Sequence, residues 1–163
     1  GIGKEFIKLL ENTNMTKVYK MPVLMAFYNH GDVRMKVTET ELLVSWKEFF
    51  STGTNWKDLD TGITYERYCK ISDKDHIKRI IKMPVNFLVK SGKGFFLKRE
   101  DSALVLRDEM KEINKNSVLA EQMKDVIEYR VMDYYRKRYI DYIKEATCMK
   151  EAYNYAKDFN ELL

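Results

Sequence analysis

Residues 72–99, SDKDHIKRIIKMPVNFLVKSGKGFFLKR, decide how this chain is read. Ser72 can cap a helix, and Ile77, Ile80, Ile81, Val85, Leu88 and Val89 then recur at helical spacing on one face. Pro84 lacks the N–H a helix interior needs, so the spacing predicts a kink or a split there. Gly92 and Gly94 end the helix. Two short runs follow, 95–99 and 103–107, joined at Glu100-Asp101-Ser102, which predicts a small hairpin.

Upstream, Ile2, Phe6, Leu9 and Leu10 mark a first helix over about 4–11. Pro22 suits the opening turn of a second helix carrying Val23, Leu24 and Phe27, with Asn29-His30-Gly31 at its end. Val33, Met35 and Val37 alternate with polar residues, the period of one short strand over 32–37. Thr38 with Glu41 three residues on is a capping box for a helix whose core face holds Leu42, Leu43, Trp46, Phe49 and Phe50. Residues 51–72 lack periodicity and contain Gly53 and Gly62, predicting an irregular connection with one helical turn near Tyr65. Downstream, 117–143 and 145–163 read as two helices, the second bearing Cys148, Met149, Ala152, Tyr155, Ala156, Phe159 and Leu162.

The predicted fold is therefore α+β and mainly helical. Its central elements run helix, strand, helix, helix, strand, strand, which is the order of a winged helix. We expect one domain over 1–163: a winged-helix-like core at about 21–110 with a small β-hairpin wing, and flanking N- and C-terminal helices, the latter an annex at about 115–163. An unrelated α+β domain is the competing reading of the same elements.

Composition narrows the function. Hydrophobic residues make up 45% and charged residues 33%, with only 7 Gly and 2 Pro, a balance that excludes a disordered tail. Cys69, Cys148, His30 and His76 stand far apart, without zinc-ligand spacing or a disulfide framework, so no metal and no cofactor is expected and a reducing, cytoplasmic setting is. No apolar run approaches the roughly 18–20 residues of a membrane span. The opening segment carries charges where a signal peptide would be apolar. The chain also starts without Met, which predicts an excised segment or a processed product.

A net charge of +4 is too small to imply a polyanion partner; its distribution matters more. Between Lys78 and Arg99 stand seven bases, Lys78, Arg79, Lys82, Lys90, Lys93, Lys98 and Arg99, and no acid. Lys78, Lys82, Asn86 and Lys90 recur every four residues, opposite the apolar face, so they line one side of the helix. Such a helix can enter a major groove, where Asn86 can pair with adenine while lysines meet phosphates. Lys93, Lys98 and Arg99 would extend the field onto the wing. The blander reading is a solvated face in a lysine-rich protein.

Three other groups merit comparison. Arg130 and 134–139, Tyr-Tyr-Arg-Lys-Arg-Tyr, mix guanidinium groups with rings that can stack on unpaired bases, but Glu128, Asp133 and Asp141 offer ion-pair partners along the same helix. Trp56 in a polar loop is a candidate base pocket, against local packing under its own loop. Asp101 with Glu109-Met110-Lys111 has the acid and Glu-x-Lys elements of metal-dependent nucleases, a pairing that chance readily supplies in a sequence this rich in Glu and Lys. No Gly-rich phosphate loop or nucleophile elbow is present, so catalysis is not expected of this segment.

With EFIKLLE from Glu5, TKVYKMPVLMAFYN from Thr16 and Glu128-Tyr129-Arg130 in view, residues 5–139 resemble a region that follows the motor of DEAD/DEAH-type helicase proteins. Some of these carry a phospholipase-D-type nuclease and act in restriction of foreign DNA. The resemblance implies a C-terminal accessory or target-recognition domain that places double-stranded DNA for helicase and nuclease domains of the same polypeptide. It carries over no functional residue. The expectation is DNA binding, with DNA sequence or base modification as the property sensed. The alternatives are a module docking on a helicase motor and a small metal-dependent nuclease.

Overall fold

The computed structural model describes residues 1–162, without the side chains of 142, 152, 153, 155, 156 and 158–162. Helix α1 spans Ile2–Asn12 and buries Phe6, Leu9 and Leu10. Helix α2 spans Lys20–Met25. Pro22 is its third residue rather than its first, still within the opening turn, whose N–H groups have no partner inside the helix.

Asn29-His30-Gly31 does not finish a helix. Strands β1 (Tyr28–Asn29) and β2 (Asp32–Val33) pair antiparallel across His30 and Gly31, both at positive φ, 44° and 94°, as the tightest hairpin turn requires. The expected strand over 32–37 is thereby broken in two. The Arg34 N–H donates to the Phe27 carbonyl at 2.7 Å and its guanidinium to that of Ala26 at 2.9 Å, which turns the chain before β3, Lys36–Val37.

Helix α3, Glu39–Ser51, begins on the predicted capping box, with Thr38 accepting from the Glu41 N–H and Glu41 accepting from the Thr38 N–H, both at 3.1 Å. Residues 51–72 are more ordered than their sequence suggests. They form a 3-10 turn, Asn55–Asp58, and helix α4, Tyr65–Cys69. Helix α5, Asp73–Ile80, is capped by Ser72, and a π-helical turn, Ile81–Val85, joins it to α6, Asn86–Ser91. The α-helix is thus interrupted at Pro84 by this π turn. A π turn opens the backbone where proline lacks its N–H and crowds the preceding carbonyl.

Strands β4 (Phe96–Arg99) and β5 (Ser102–Leu106) form the predicted hairpin. β5 also pairs with β3, giving a three-stranded antiparallel sheet in the order β3-β5-β4. A 3-10 turn, Asp108–Glu112, leads to α7, Ser117–Leu162. The two expected terminal helices are one, because no Gly or Pro interrupts 117–162. Of the stripe expected there, Cys148 and Met149 are exposed, while Ala152, Tyr155, Ala156, Phe159 and Leu162 have side chains outside the described residues.

The architecture is thus α+β and mainly helical, with a small sheet. Two compact units divide the chain, Gly1–Tyr129 and Arg130–Leu163, so the boundary falls inside α7 rather than at about 115. The core of the first unit is aromatic. Trp46 packs on Phe50 at 4.6 Å between ring centroids and on Tyr19 at 5.7 Å, while Phe96 meets Phe27 at 5.6 Å and Phe6 meets Phe95 at 5.6 Å. Among the described residues, no helix is long and apolar enough to cross a membrane.

Candidate nucleic-acid interface

The row Lys78, Lys82, Asn86 and Lys90 runs along α5, the π turn and α6. The opposite side explains why it points outward. His76, Ile80, Pro84, Val85 and Leu88 are buried, so the three lysines are left exposed and Asn86 half-buried. The Ser72 hydroxyl accepts from the Asp75 N–H at 3.1 Å, and Asp73 and Asp75 face the positive end of the helix dipole, which fixes where the row begins.

Lys98 joins this row from the hairpin. The β4-β5 register shifts between Leu97 and Arg99, and this irregularity leaves Leu97, Lys98 and Arg99 all exposed. The Lys98 ammonium donates to Oδ1 of Asn86 at 2.8 Å. The Asn86 amide in turn donates to the Lys82 carbonyl at 3.3 Å. Asn86 is therefore occupied as a clasp between helix and hairpin, and its amide is not free for an adenine edge unless Lys98 leaves.

Lys93 stands in the turn between helix and hairpin at φ 51°, flanked by Gly92 and Gly94. Gly92 is required by space: an added Cβ would lie 2.3 Å from the Leu88 carbonyl oxygen and 2.9 Å from the Phe96 ring. Among the described residues, Lys78, Lys82, Lys90, Lys93, Lys98 and Arg99 form no ion pair.

Arg79 does not share this surface. Its guanidinium pairs with both carboxylate oxygens of Asp60, at 3.0 and 2.9 Å, and donates to the Leu59 carbonyl at 2.9 Å. The Tyr19 hydroxyl donates to the same carbonyl. The bond to Asp60 raises the Arg79 pKa above its ordinary value despite partial burial. Its role is to pin the 51–72 connection to α5, a bidentate use of arginine that the sequence alone conceals.

Behind the row, the Trp46 indole N–H donates to Nδ1 of His76 at 3.1 Å. Nδ1 accepts, so the neutral ring carries its proton on Nε2. Burial lowers the His76 pKa, and Lys47 and Arg79 lower it further.

Trp56 lies half-buried in local packing, 5.4 Å from the Tyr65 ring and stacked 6.5 Å from Tyr68, with the Lys57 ammonium 5.7 Å from its centroid. Its neighbours are thus residues of its own connection, as local packing would have them. In the second unit, Asp133 holds Arg136 at 2.9 Å and Lys137 at 3.1 Å, while Arg138 donates to the Tyr134 hydroxyl at 2.7 Å. The residues considered for a nuclease each have an ion-pair partner of their own. Asp101 pairs with Lys36 at 3.6 Å, Glu109 with Arg107 at 3.0 Å and Lys111 with Asp108 at 3.6 Å. Among the described residues, no three His, Cys, Asp or Glu side chains are grouped to hold a metal ion.

Beside the row lies a feature that spacing does not predict. Met83, Phe87 and Ser91 form one wall of a cavity of about 290 Å³ whose other wall includes Lys17, Tyr19 and Lys20. Its only trace in the sequence is that each of these helical residues directly follows a member of the row, Lys82, Asn86 or Lys90. Comparison with protein families, characterised proteins and solved structures finds no match to this chain.

Proposed function

We propose that this chain binds double-stranded DNA through Lys78, Lys82, Lys90 and Lys98, as an accessory or target-recognition module of a larger cytoplasmic protein of helicase and restriction type. The observation that carries the reading is the Lys98–Asn86 bond: cations of the helix and cations of the hairpin share one surface, and no described carboxylate neutralises them. Phosphate contacts would supply most of the affinity, as they do in most such complexes. The succession α2, β3, α3, α5–α6, β4 and β5, with sheet order β3-β5-β4, supports a winged-helix reading in which α5–α6 is the recognition helix. The helicase association rests on the sequence phrases alone.

The test is duplex binding over a salt series, comparing the wild type with the Lys78→Ala/Lys82→Ala/Lys90→Ala variant and checking both for folding. Affinity should fall, and the slope of log affinity against log salt should shrink by about 0.9 for each phosphate no longer neutralised. Unchanged affinity in a folded variant would end this proposal.

A second reading is favoured by α7. Met132, Tyr139, Ile140, Ile143 and Met149 are exposed in the second unit, an apolar display suited to docking on another protein. A docking module would bind duplex weakly and without steep salt dependence.

A further inference from the structure

Met83, Phe87 and Ser91 recur at four-residue spacing, one residue after Lys82, Asn86 and Lys90. Within α6 successive residues lie about 100° apart, so Phe87 and Ser91 stand beside Asn86 and Lys90. The cavity that Phe87 and Ser91 help to wall therefore adjoins the surface proposed to follow a DNA backbone.

Its walls are suited to a flat ring bearing a negative charge. Phe87 lines the cavity and is 50% exposed, so its ring is in part accessible from solvent. The Tyr19 ring opposite is held by Trp46 and by its hydroxyl bond to the Leu59 carbonyl. Lys20 is buried, its ammonium donating to Oγ1 of Thr13 at 3.2 Å and to the Asn14 carbonyl at 2.7 Å. Lys17 is exposed, and among the described residues no carboxylate lines the cavity. At about 290 Å³ the space lies at the small end of ligand sites, which begin near about 300 Å³, and suits one base rather than a pair.

The geometry points to this cavity as the receptacle for a single unstacked nucleotide of the bound DNA strand, its base against Phe87 and its phosphate toward the exposed Lys17. This rests on the proposed duplex binding and adds a preference to it. Extruding a base costs least where the base is already unpaired, so the protein should favour duplexes with a bulged or mismatched position. A free nucleotide has the same chemistry, and the experiment separates the two sources.

Binding is measured for a fully paired duplex and for the same duplex with one bulged thymine, using wild type, Phe87→Ala, Phe87→Trp and Lys17→Ala, with and without millimolar thymidine monophosphate. The wild type should bind the bulged duplex about tenfold more tightly, the scale of one base–aromatic stack. Phe87→Ala should abolish that preference while leaving the paired duplex within about twofold, Phe87→Trp should retain it, and Lys17→Ala should reduce it. Equal wild-type affinity for both duplexes overturns the inference and leaves duplex binding standing. Competition by thymidine monophosphate without a bulge preference also overturns it, in favour of a free nucleotide. Failure to bind either duplex overturns the proposed function itself.

Discussion

Lys98 and Asn86 are twelve residues apart in sequence, and the lysine ammonium lies 2.8 Å from the asparagine Oδ1, tying the β4-β5 hairpin to the start of α6. The bond presents the two basic segments together, and because asparagine is neutral it leaves the charge of Lys98 uncompensated while holding its ammonium in place. The variants should therefore diverge. Lys98→Ala should weaken duplex binding and lower the salt slope by about one unit, whereas Asn86→Ala, which frees Lys98, should hold or raise affinity. Titrations of the two variants at matched salt decide this, and parallel losses would contradict it.

Arg79 should behave unlike its basic neighbours. Arg79→Ala removes the bidentate pair with Asp60 and a donor to the Leu59 carbonyl, so it should destabilise the fold by about 1 kcal/mol, discounted for the solvent-exposed Asp60. Hydrogen exchange should quicken across 59–63, with duplex affinity unchanged. Arg79→Lys should restore little, because an ammonium cannot reproduce the fork.

His76 predicts acid sensitivity. Its pKa is lowered in the folded protein, so the unfolded chain binds the proton more readily. Its contribution is fully present above the unfolded value of about 6.5 and declines as pH falls through that value toward the lowered folded one. The loss cannot exceed about 1.4 kcal/mol per pH unit for one proton. Chemical denaturation between pH 8 and 5 should show this decline in wild type, and His76→Phe should flatten it while lowering stability at pH 8, since the Trp46 N–H loses its acceptor.

Gly92→Ala should cost about 1–3 kcal/mol, the range for overpacking a filled site. The new methyl meets the Leu88 carbonyl and the Phe96 ring, so relief means moving β4 away from α6. Thermal denaturation should register the loss, and duplex affinity should fall with it. Gly94→Ala, with open space but φ 78°, should be destabilising through backbone strain and leave the Phe96 packing intact.

Much of the local structure was legible in the sequence because it depends on near neighbours. The Thr38–Glu41 box, the Ser72 cap, Ile80, Val85 and Leu88 of the expected apolar face, whose Ile77, Ile81 and Val89 are only half-buried, and the hairpin after Gly94 follow from spacing and backbone chemistry within a few residues. The acid-free run was equally plain, and with the opposite face apolar its lysines had to point outward. Where the sequence reading failed locally, bonds between separate segments or a missing stop signal were responsible. Bonds from Arg34 to Phe27 and Ala26 broke the expected strand, and α7 ran on because no residue stops it.

Only the tertiary structure decided which polar groups are spent and which remain. Asp60 takes up Arg79, Lys98 takes up Asn86, and Tyr65 and Tyr68 pack beside Trp56, while a cavity opens between Phe87 and Lys17. Periodicity tells which side of a helix faces water. It cannot tell which distant side chain arrives there, because that depends on how separate segments pack once their apolar faces are buried.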